Sequence, residues 1–503
     1  MRRKQDVWIA LGLLVAGWGI RLALAARLEF PPLDDPAFYV QTARSLAAGR
    51  GLVSDVLWSY QFPFSSVTHA SHEYWMPMAT LLMAPWIKAV GDSLLIAQLP
   101  GTLCGALLVP LTYLLGRLAR PDDRRIAVGA ALMMLAGALP VYQAASTDSA
   151  APFALLGASA LLTGGLAIEC RSAWLSLLAG LLGGLAYLAR SDGMLIPLLI
   201  GAFILLNLRF SRRAVALLAL LGAGCAVPMG LWWLRNLDAF GVVQPVSAIS
   251  VAALQDYAQM FNWNDPPTLA ALFARGFRFV GELRLQALGH NLGVWVLIGF
   301  PYGLFGWLGL LRTRRVVLGL GLGYGVVLML SSALVFSVPT LAGLFYHSAG
   351  AVLPWLAVGA ALVISSLAKR RRSLAFGLGV ATAALVIAQC AVAWPRAVED
   401  SLRNGRTFQS AADWIAVHAA PGEPVIATQA HSLNYASGQP AMSLPAGQDV
   451  ASVKELAGCF GARYVVLTER VGRFPAELDA HLGDGIRLAY QTPQLLIYEI
   501  LAP

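Results

Sequence analysis

Long apolar stretches separated by short polar connections fill the first 395 residues of the chain. A helix needs about 20 mostly apolar residues to cross a bilayer, and this length defines the candidate membrane segments. Eleven stretches qualify: 7–26, 94–116, 126–144, 151–169, 173–189, 193–208, 214–234, 291–311, 316–336, 348–367 and 374–394. The segment 77–91 is apolar too, and we expect it to lie in the membrane interface rather than cross. The pattern predicts an α-helical polytopic membrane protein with about eleven transmembrane helices.

Basic residues occur in the connections on one side of this predicted topology. The clusters are Arg2, Arg3 and Lys4 at the start, and then the segments 116–125, 169–172, 208–213, 311–315 and 368–373. Cytoplasmic loops are enriched in Lys and Arg, so these segments and the N-terminus are predicted to be cytoplasmic. The loops 27–93 and 235–290, and everything after residue 395, are then predicted to be outside.

The composition changes at about residue 396 to that of a soluble domain. Helix-type periodicity in "TFQSAADWIAVHA" and "DVASVKELAGCFG" alternates with strand-type runs in "EPVIAT", "ARYVVLTER" and "QLLIYEIL". Alternating helices and strands predict a small extracytoplasmic α/β domain over residues 396–503, following a transmembrane domain over residues 1–395.

Composition supports a membrane protein and argues against a nucleic-acid partner. Apolar residues make up 58% of the 503 residues and charged residues 13%, whereas ordinary soluble domains carry about 25% charged residues. The net charge of +9 comes from the short clusters described above, where Lys and Arg act as topology signals. We therefore expect membrane lipids around the protein and no nucleic acid.

A pair of acids, Asp34 and Asp35, directly follows the first apolar segment in "LEFPPLDDPAFYVQTARSL". In one interpretation Asp35 is the N-cap of the next helix and Pro36 takes its first position, which leaves Asp34 free. In the other, a carboxylate close to apolar walls accepts a proton from a substrate, or the pair holds a divalent cation. The pattern alone leaves both interpretations open.

The same loop carries His69, His72 and Glu73 beside Tyr74 and Trp75. Three titratable groups at this spacing could bind a metal ion or orient a substrate. A solvated loop with aromatic residues in the membrane interface is the equally weighted alternative.

Two arginines occur on the side where the positive-inside rule disfavours them. Arg190 lies with Asp192 in a tight turn between two predicted spans, and Arg235 precedes Asn236 at the end of another span. The simple explanations are an ion pair between Arg190 and Asp192 and snorkelling of Arg235 to lipid headgroups. The functional alternative is that these guanidinium groups bind a phosphate on a lipid.

Two further segments carry polar residues on the same side. Tyr142, Gln143, Thr147 and Asp148 form a turn that we interpret mainly as a helix cap, with substrate contact as the minority interpretation. His347 begins another span, where it could bind phosphate or simply pack.

Taken together, the motifs resemble those of the GT-C superfamily of integral-membrane glycosyltransferases. The resemblance is closest to bacterial relatives of dolichyl-phosphate-mannose protein mannosyltransferases and of lipid A aminoarabinose transferase. It is carried by "DDPAFY" (34–39), "HEYWMPMATLLMAPW" (72–86), "ARSDG" (189–193) and "RNLDAFG" (235–241), in this order and on one side of the membrane. It extends over most of residues 1–395, and the C-terminal domain is similar to the outer domains of many members.

The resemblance implies an inverting glycosyltransferase of a bacterial inner membrane that uses a polyprenyl-phosphate-linked sugar. The acceptor could be a lipid, a glycan or a protein, and a divalent metal ion is the cofactor that remains open. The implied roles are Asp34 as the catalytic base, Asp35 and Glu73 as a second acid or metal ligands, Arg190, Arg235 and His347 as donor-phosphate ligands, and Tyr39, His69, His72, Asp192 and Asn236 as substrate contacts.

A transporter or flippase of lipid-linked sugars is the main alternative. Such a protein would be expected to show symmetric halves and charged residues at mid-membrane, whereas the polar candidates here cluster in loops on one side. A non-catalytic assembly component is a third class, and it would tolerate the loss of Asp34.

Overall fold

The computed structural model describes residues 2–263, 265–311, 313–446, 450–468, 474–483 and 485–501. The helices in these ranges are α1 Arg2–Ala25, α2 Asp34–Ala47, α3 Met78–Val90, α4 Leu94–Ala119, α5 Arg124–Ala136, α6 Ala138–Ala145, α7 Ala150–Cys170, α8 Ala173–Ala189, α9 Leu195–Leu208, α10 Arg212–Phe240, α11 Ala248–Ala252, α12 Leu269–Ala274, α13 Phe277–Ile298, α14 Gly303–Leu310, α15 Val316–Leu334, α16 Ser337–Leu341, α17 Leu344–Ser348, α18 Leu353–Ala368, α19 Arg372–His418, α20 Ala430–Ser437, α21 Val450–Phe460 and α22 Phe474–Ala480. The strands are β1 Val53–Ser54, β2 Val56–Leu57, β3 His69–Ala70, β4 Val425–Ala427, β5 Ala441–Ser443, β6 Tyr464–Leu467, β7 Ile486–Thr492 and β8 Leu495–Ile500.

The helical part is a multi-pass membrane domain. In the described ranges, eight helices are long and apolar enough to cross a membrane, and ten spans result if each of two bent helix pairs counts as one. The predicted segment 173–189 forms α8, which has 17 residues and is shorter than these spans. The segment 77–91 forms the 13-residue helix α3, which is too short to cross.

Two segments that we predicted as single helices are broken, and the prediction of continuous helices was wrong there. The segment 126–144 bends by 53° between α5 and α6, and the segment 291–311 bends by 94° between α13 and α14. Gly137 allows the first break, since a Cβ there would lie 2.9 Å from the ring of Pro140. Gly299 and Pro301 lie at the second break, and proline cannot donate a helical hydrogen bond.

The basic connections come together at one end of the membrane domain. Arg315 binds Glu169 at 2.5 Å and donates to the carbonyl of Leu118 at 3.0 Å, which joins three connections. Asp6, in the first turns of α1, accepts from Arg124 at 2.9 Å. The side chains of Arg2 and Arg3, and all of Arg312, lie outside the described residues. We call this end the basic end and the opposite end the sheet end.

Small residues allow close helix packing between the two ends. A Cβ at Gly180 of α8 would lie 2.0 Å from the carbonyl oxygen of Leu221, and one at Gly224 of α10 would lie 2.3 Å from that of Leu177. Glycines facing each other in this way let helix backbones approach closely in membranes. The broad face shared by α8 and α10 positions the ends of both helices at the sheet end.

The sheet end combines the loop 27–93 with the C-terminal residues. The six-stranded mixed sheet has the order β2-β5-β4-β6-β8-β7. Strands β2, β5, β4 and β6 pair in parallel, and β8 pairs antiparallel with both β6 and β7. Strands β4, β6 and β8 and helix α21 confirm the predicted α/β elements, while Asp449 and residues 469–470 of the predicted elements lie outside the described residues.

The connection between the two parts differs from a simple boundary at residue 395. Helix α19 runs without interruption from Arg372 to His418. Strand β2 comes from the first loop and pairs with β5, with Val56 opposite Ala441. The loop 27–93 therefore folds together with the C-terminal residues.

Candidate active site

The paired acids begin helix α2. Leu33, with an extended backbone at φ −145° and ψ 175°, occupies the N-cap position, and Asp34 and Asp35 are the first two helical residues. The predicted arrangement, with Asp35 as N-cap and Pro36 as first residue, was wrong by two positions. Carboxylates in a first turn are already favoured by the helix dipole, so the helix does not require a capping side chain.

Asp34 points to the C-terminal domain. Its Oδ1 accepts a hydrogen bond of 2.9 Å from the backbone N–H of Ser432 in the first turn of α20. Burial raises the pKa of Asp34 to about 6, although hydrogen bonds from Ser432 and His431 oppose the shift. Asp34 thus connects the start of α2 with the start of α20.

Asp35 lies near three other ionisable side chains: Asp148, Arg190 and His347. We call these four residues the carboxylate cluster. Burial raises the pKa of Asp35 to about 7, the negative charges of Asp148 and Asp34 add to the shift, and His347 and Arg190 oppose it. A carboxylate with this pKa accepts a proton near neutral pH.

Asp148 comes from the turn between α6 and α7. Its Oδ2 lies 3.1 Å from Nδ1 of His347. Burial opposes ionisation of Asp148, but His347, Arg190 and the amide of Ser149 outweigh it and lower its pKa to about 2. Thr147 in the same turn donates to the carbonyl of Pro36 at 3.0 Å, which holds this turn against α2.

Arg190 follows α8 and is held by two hydrogen bonds. Its Nε donates to Ser348 Oγ at 2.8 Å and to Asp192 Oδ1 at 3.3 Å, so the simple prediction of an Arg190–Asp192 pair is confirmed. The turn needs Gly193, because a Cβ there would lie 2.7 Å from the backbone of Ala186. This close approach explains glycine in the Arg-x-Asp-Gly sequence.

A cavity of about 550 Å³ lies beside the carboxylate cluster. Most of its wall is apolar, which is typical of ligand sites, and its polar groups converge from six segments of the chain. These polar lining residues are Tyr39, Tyr74, Ser149, Tyr187, Arg190, Ser191, Asp192, Gln244, Ser331 and Ser332. Asp35 is electrostatically coupled to Tyr39, Tyr74 and Arg190 in this wall.

The other predicted site residues form a second group that we call the histidine cluster: His69, His72, Glu73 and Arg235. Nε2 of His69 lies 3.7 Å from Oε2 of Glu73, and both side chains are almost fully buried. Nδ1 of His72 lies 3.1 Å from the carbonyl oxygen of Trp75. Burial and the charge of Arg235 lower the pKa of His72 to about 3, so His72 is neutral at ordinary pH.

Arg235 contacts several protein groups. Its guanidinium lies 4.9 Å from the ring of Trp232 and 5.0 Å from that of Phe240, and it donates to Asn236 at 3.1 Å. Asn236 in turn donates to the carbonyl of Val243, a residue of the cavity wall, at 2.8 Å. Arg235 and Asn236 therefore support the cavity from behind.

Sequence reasoning underestimated several residues of this site. Asp148 was interpreted mainly as a helix cap, whereas it binds His347. Ser348, Tyr74 and Tyr257 were not selected, although Ser348 binds Arg190 and both tyrosines are coupled to Asp35. The sequence does contain a signal for Asp148. It is an acid in a short turn between two apolar segments, on the same predicted side of the membrane as Asp34 and Asp35.

The described residues do not fit the predicted metal site. No group of three or more His, Cys, Asp or Glu side chains in the described ranges is arranged to hold a metal ion. Asp34 accepts a hydrogen bond from α20, whereas the charges that act on Asp35 include those of Asp148, His347 and Arg190.

Comparison with known proteins identifies the fold. No protein-family model and no curated protein sequence matches the chain. The crystal structure of ArnT from Cupriavidus metallidurans bound to undecaprenyl phosphate matches with a TM-score of 0.60 and 13% identity, covering 99% of each chain. The oligosaccharyltransferase of Archaeoglobus fulgidus in complex with Zn and sulfate matches with a TM-score of 0.57 and 16% identity, covering 93% of this chain and 69% of that one.

A further structure of the archaeal protein, AglB in complex with an inhibitory peptide and a dolichol-phosphate, matches with a TM-score of 0.50 and 15% identity, covering 92% of this chain and 69% of that one. The chain therefore has the fold of GT-C glycosyltransferases, and the predicted structural resemblance is confirmed. At these identities the similarity concerns the fold alone.

Proposed function

We propose that the protein is an inverting glycosyltransferase that moves a sugar from a polyprenyl-phosphate-linked donor to an acceptor. The observation that carries the proposal is the carboxylate cluster: a half-buried acid, Asp35, whose pKa is raised to about 7, and an arginine that also forms part of the wall of a 550 Å³ cavity. The fold supports it, because the matched ArnT was solved with undecaprenyl phosphate and the matched AglB with dolichol-phosphate.

The lipid chain of the donor has a matching surface next to the cavity. An apolar groove of about 400 Å³ runs between α9 and α10 and shares Met194 and Trp233 with the cavity wall. A polyprenyl chain in this groove would place its phosphate at the cavity, near Arg190. A guanidinium binds phosphate through directed hydrogen bonds and offsets the charge that the leaving phosphate gains.

The reaction needs one proton acceptor and one cation. We propose that Asp35 removes the proton of the acceptor hydroxyl while its oxygen attacks the anomeric carbon of the sugar. The bond between this carbon and the phosphate oxygen breaks, and the polyprenyl phosphate leaves with the bonding electrons, stabilised by Arg190. A single displacement of this kind inverts the anomeric configuration.

The assignment of the base differs from the sequence-based prediction, which selected Asp34. Both carboxylates have raised pKa values, but Asp34 is hydrogen-bonded to α20 and Asp35 interacts with Arg190 and Asp148. We propose that Asp35 is the base and that Asp34 attaches the loop to the C-terminal domain.

The test is sugar transfer by the purified, reconstituted protein with polyprenyl-phosphate sugars, comparing Asp35→Asn with Asp34→Asn. We expect Asp35→Asn to reduce the transfer rate roughly a thousandfold with donor binding retained. We expect Asp34→Asn to keep measurable transfer and to lower thermal stability. A larger loss in Asp34→Asn would restore the original assignment.

Movement of the intact donor lipid across the bilayer without sugar transfer would identify a transporter. Transfer that is unaffected by both substitutions would exclude the mechanism. The acceptor class is read from the product, by offering lipid, glycan and protein hydroxyl acceptors in parallel.

We also propose that the sheet end faces outwards and that the N-terminus is cytoplasmic. The gathering of basic connections at the opposite end supports this orientation. Two exposed native cysteines provide a matched test, Cys459 at the sheet end and Cys170 at the basic end.

In single-cysteine variants of intact cells, we expect a membrane-impermeant maleimide to label Cys459, and to label Cys170 only after permeabilisation. The reverse pattern would invert the orientation and place the site on the cytoplasmic side.

A further inference from the structure

Arg21 is a buried cation in the first membrane helix. Its side chain is fully buried between α1, α4 and α5. Nη1 donates to the carbonyl of Gly17 at 3.0 Å and Nη2 to the carbonyl of Met134 at 3.2 Å. Both hydrogen-bond acceptors of Arg21 are backbone oxygens, and no carboxylate among the described residues forms an ion pair with it. A buried guanidinium without an acidic partner is costly, so its position asks for a reason.

The acceptor Met134 lies at the break between α5 and α6. Helix α5 ends at Ala136, and the chain turns by 53° at Gly137 before α6 begins. A helix that ends inside a membrane leaves carbonyl groups that need other donors. Arg21 supplies one to Met134, and Cys390 of α19 approaches the carbonyl of Ala136 at 3.1 Å. These two side chains hold the broken end of α5.

The segment beyond the break leads directly to the candidate active site. Helix α6 packs against Gly105 of α4, where a Cβ would lie 2.4 Å from Ala144 and 2.8 Å from Nε of Arg21. Gln98 donates to the carbonyl of Ala145 at 2.7 Å. The next residues are the turn that contains Asp148.

We propose that Arg21 is a positioning residue for Asp148: by holding the end of α5 at the break, it fixes the direction of α6 and so the distance of Asp148 from Asp35 and His347. This proposal rests on the proposed function, since Asp35 is the base in that reaction. It predicts that loss of the Arg21 hydrogen bonds changes the chemical step and leaves the donor-binding groove between α9 and α10 in place.

The test compares Arg21→Met, which keeps the bulk and removes the donors, with Arg21→Lys. Arg27, exposed in the turn two residues after the end of the same helix, provides the control Arg27→Met. We expect Arg21→Met to lower kcat roughly tenfold to a hundredfold with KM for the donor unchanged. Arg21→Lys should recover part of this loss, and Arg27→Met should behave like the wild type.

The pH profile separates positioning from a loss of stability. Asp35 is faced by Asp34 on its own helix, Asp148 from the α6–α7 turn, Arg190 from the end of α8 and His347 from α17. If Asp148 moves away, its charge no longer disfavours ionisation of Asp35, and the pKa of Asp35 falls. The fall of kcat on the acidic side of its pH profile, which we call the acid limb, then moves to lower pH. A destabilised but otherwise unchanged site would keep the limb in place.

A readout independent of activity uses spin labels at Leu139 of α6 and Ala48 after α2, in a background with Cys390 replaced by Ser and the other cysteines by Ala. The distance distribution should shift or broaden in Arg21→Met and not in Arg27→Met. An unchanged distribution together with an unchanged pH limb would overturn the proposal, whether or not the protein transfers sugar. If Arg21→Met does not fold, Gly105→Ala is the second variant, because its Cβ would push against both Ala144 of α6 and the Arg21 side chain. It should give the same change in the distance distribution and in the acid limb.

Discussion

The carboxylate cluster and the histidine cluster lie at the same end of the molecule and use similar residue types, but their charges are arranged differently. In the carboxylate cluster, two acids stand against Arg190 and His347, and Arg190 lines the cavity. In the histidine cluster, the charge of Arg235 interacts with Glu73 and lies against two aromatic rings. The first arrangement leaves an acid that can exchange a proton, and the second is electrostatically balanced.

An arginine on the side that the positive-inside rule disfavours need not line the cavity. Arg190 and Arg235 were both selected because they lie on the side that the positive-inside rule disfavours, and both are held by hydrogen bonds. What distinguishes them is position, because Arg190 forms part of the cavity wall and Arg235 supports that wall through Asn236.

The largest expected effect separates the two arginines. We expect Arg190→Gln to lower the single-turnover rate of sugar transfer roughly a hundredfold to a thousandfold, because it removes the cation that stabilises the leaving phosphate. We expect Arg235→Gln to stay within about tenfold of the wild type and to lower the melting temperature instead. Equal losses of rate in both variants would contradict the division into two clusters.

A smaller effect concerns acid stability in the histidine cluster. The pKa of folded His72 is lowered to about 3, so it stays neutral while the unfolded chain takes up a proton below about pH 6.5. The unfolded state therefore binds more protons, and stability falls as the pH falls from about 6.5 toward 3. Between pH 7 and pH 5 this amounts to about 2 kcal/mol.

We expect His72→Gln to reduce the fall in melting temperature between pH 7 and pH 5, measured in detergent. The exposed His418 serves as the control, since His418→Gln should leave that fall unchanged. A wild-type pH dependence in His72→Gln would show that His72 is not the group responsible.

The smallest effect is a shift in the pH profile. Asp148→Asn removes a negative charge that raises the pKa of Asp35, so the acid limb of the transfer rate should move down by roughly one pH unit. Glu73→Gln makes the same chemical change in the histidine cluster, and the limb should stay in place. The comparison requires rates between pH 5 and pH 8 for both variants, and a shift in Glu73→Gln would mean that the two clusters are coupled.

Much of the fold followed from local sequence properties. The lengths of the apolar runs and the one-sided basic connections are set by the bilayer itself, so they can be found without knowledge of packing. The helix breaks at Gly137 and Pro301 could not be placed in this way, because the apolar pattern continues across them and partners such as Arg21 come from distant helices.

The candidate site was only partly predictable. The pairing of Arg190 with Asp192 is local, and the sequence indicated it. The contact between Asp148 and His347 joins residues far apart in the chain, and the strand β2 needs a partner strand from the C-terminal domain. Which of the two adjacent aspartates interacts with Asp148 and Arg190 depends on the exact first residue of α2. Helix ends are the least certain part of a sequence-based prediction.

The shared sheet also has a consequence for biosynthesis. Asp34 and its partner Ser432 are 398 residues apart in the chain, and strand β2 likewise precedes its partner β5 by most of the membrane domain. During synthesis the first loop must therefore remain with its pairing edge open until these later segments have been made. A product that ended before α20 would carry every proposed catalytic side chain and still lack the partners that hold the first loop.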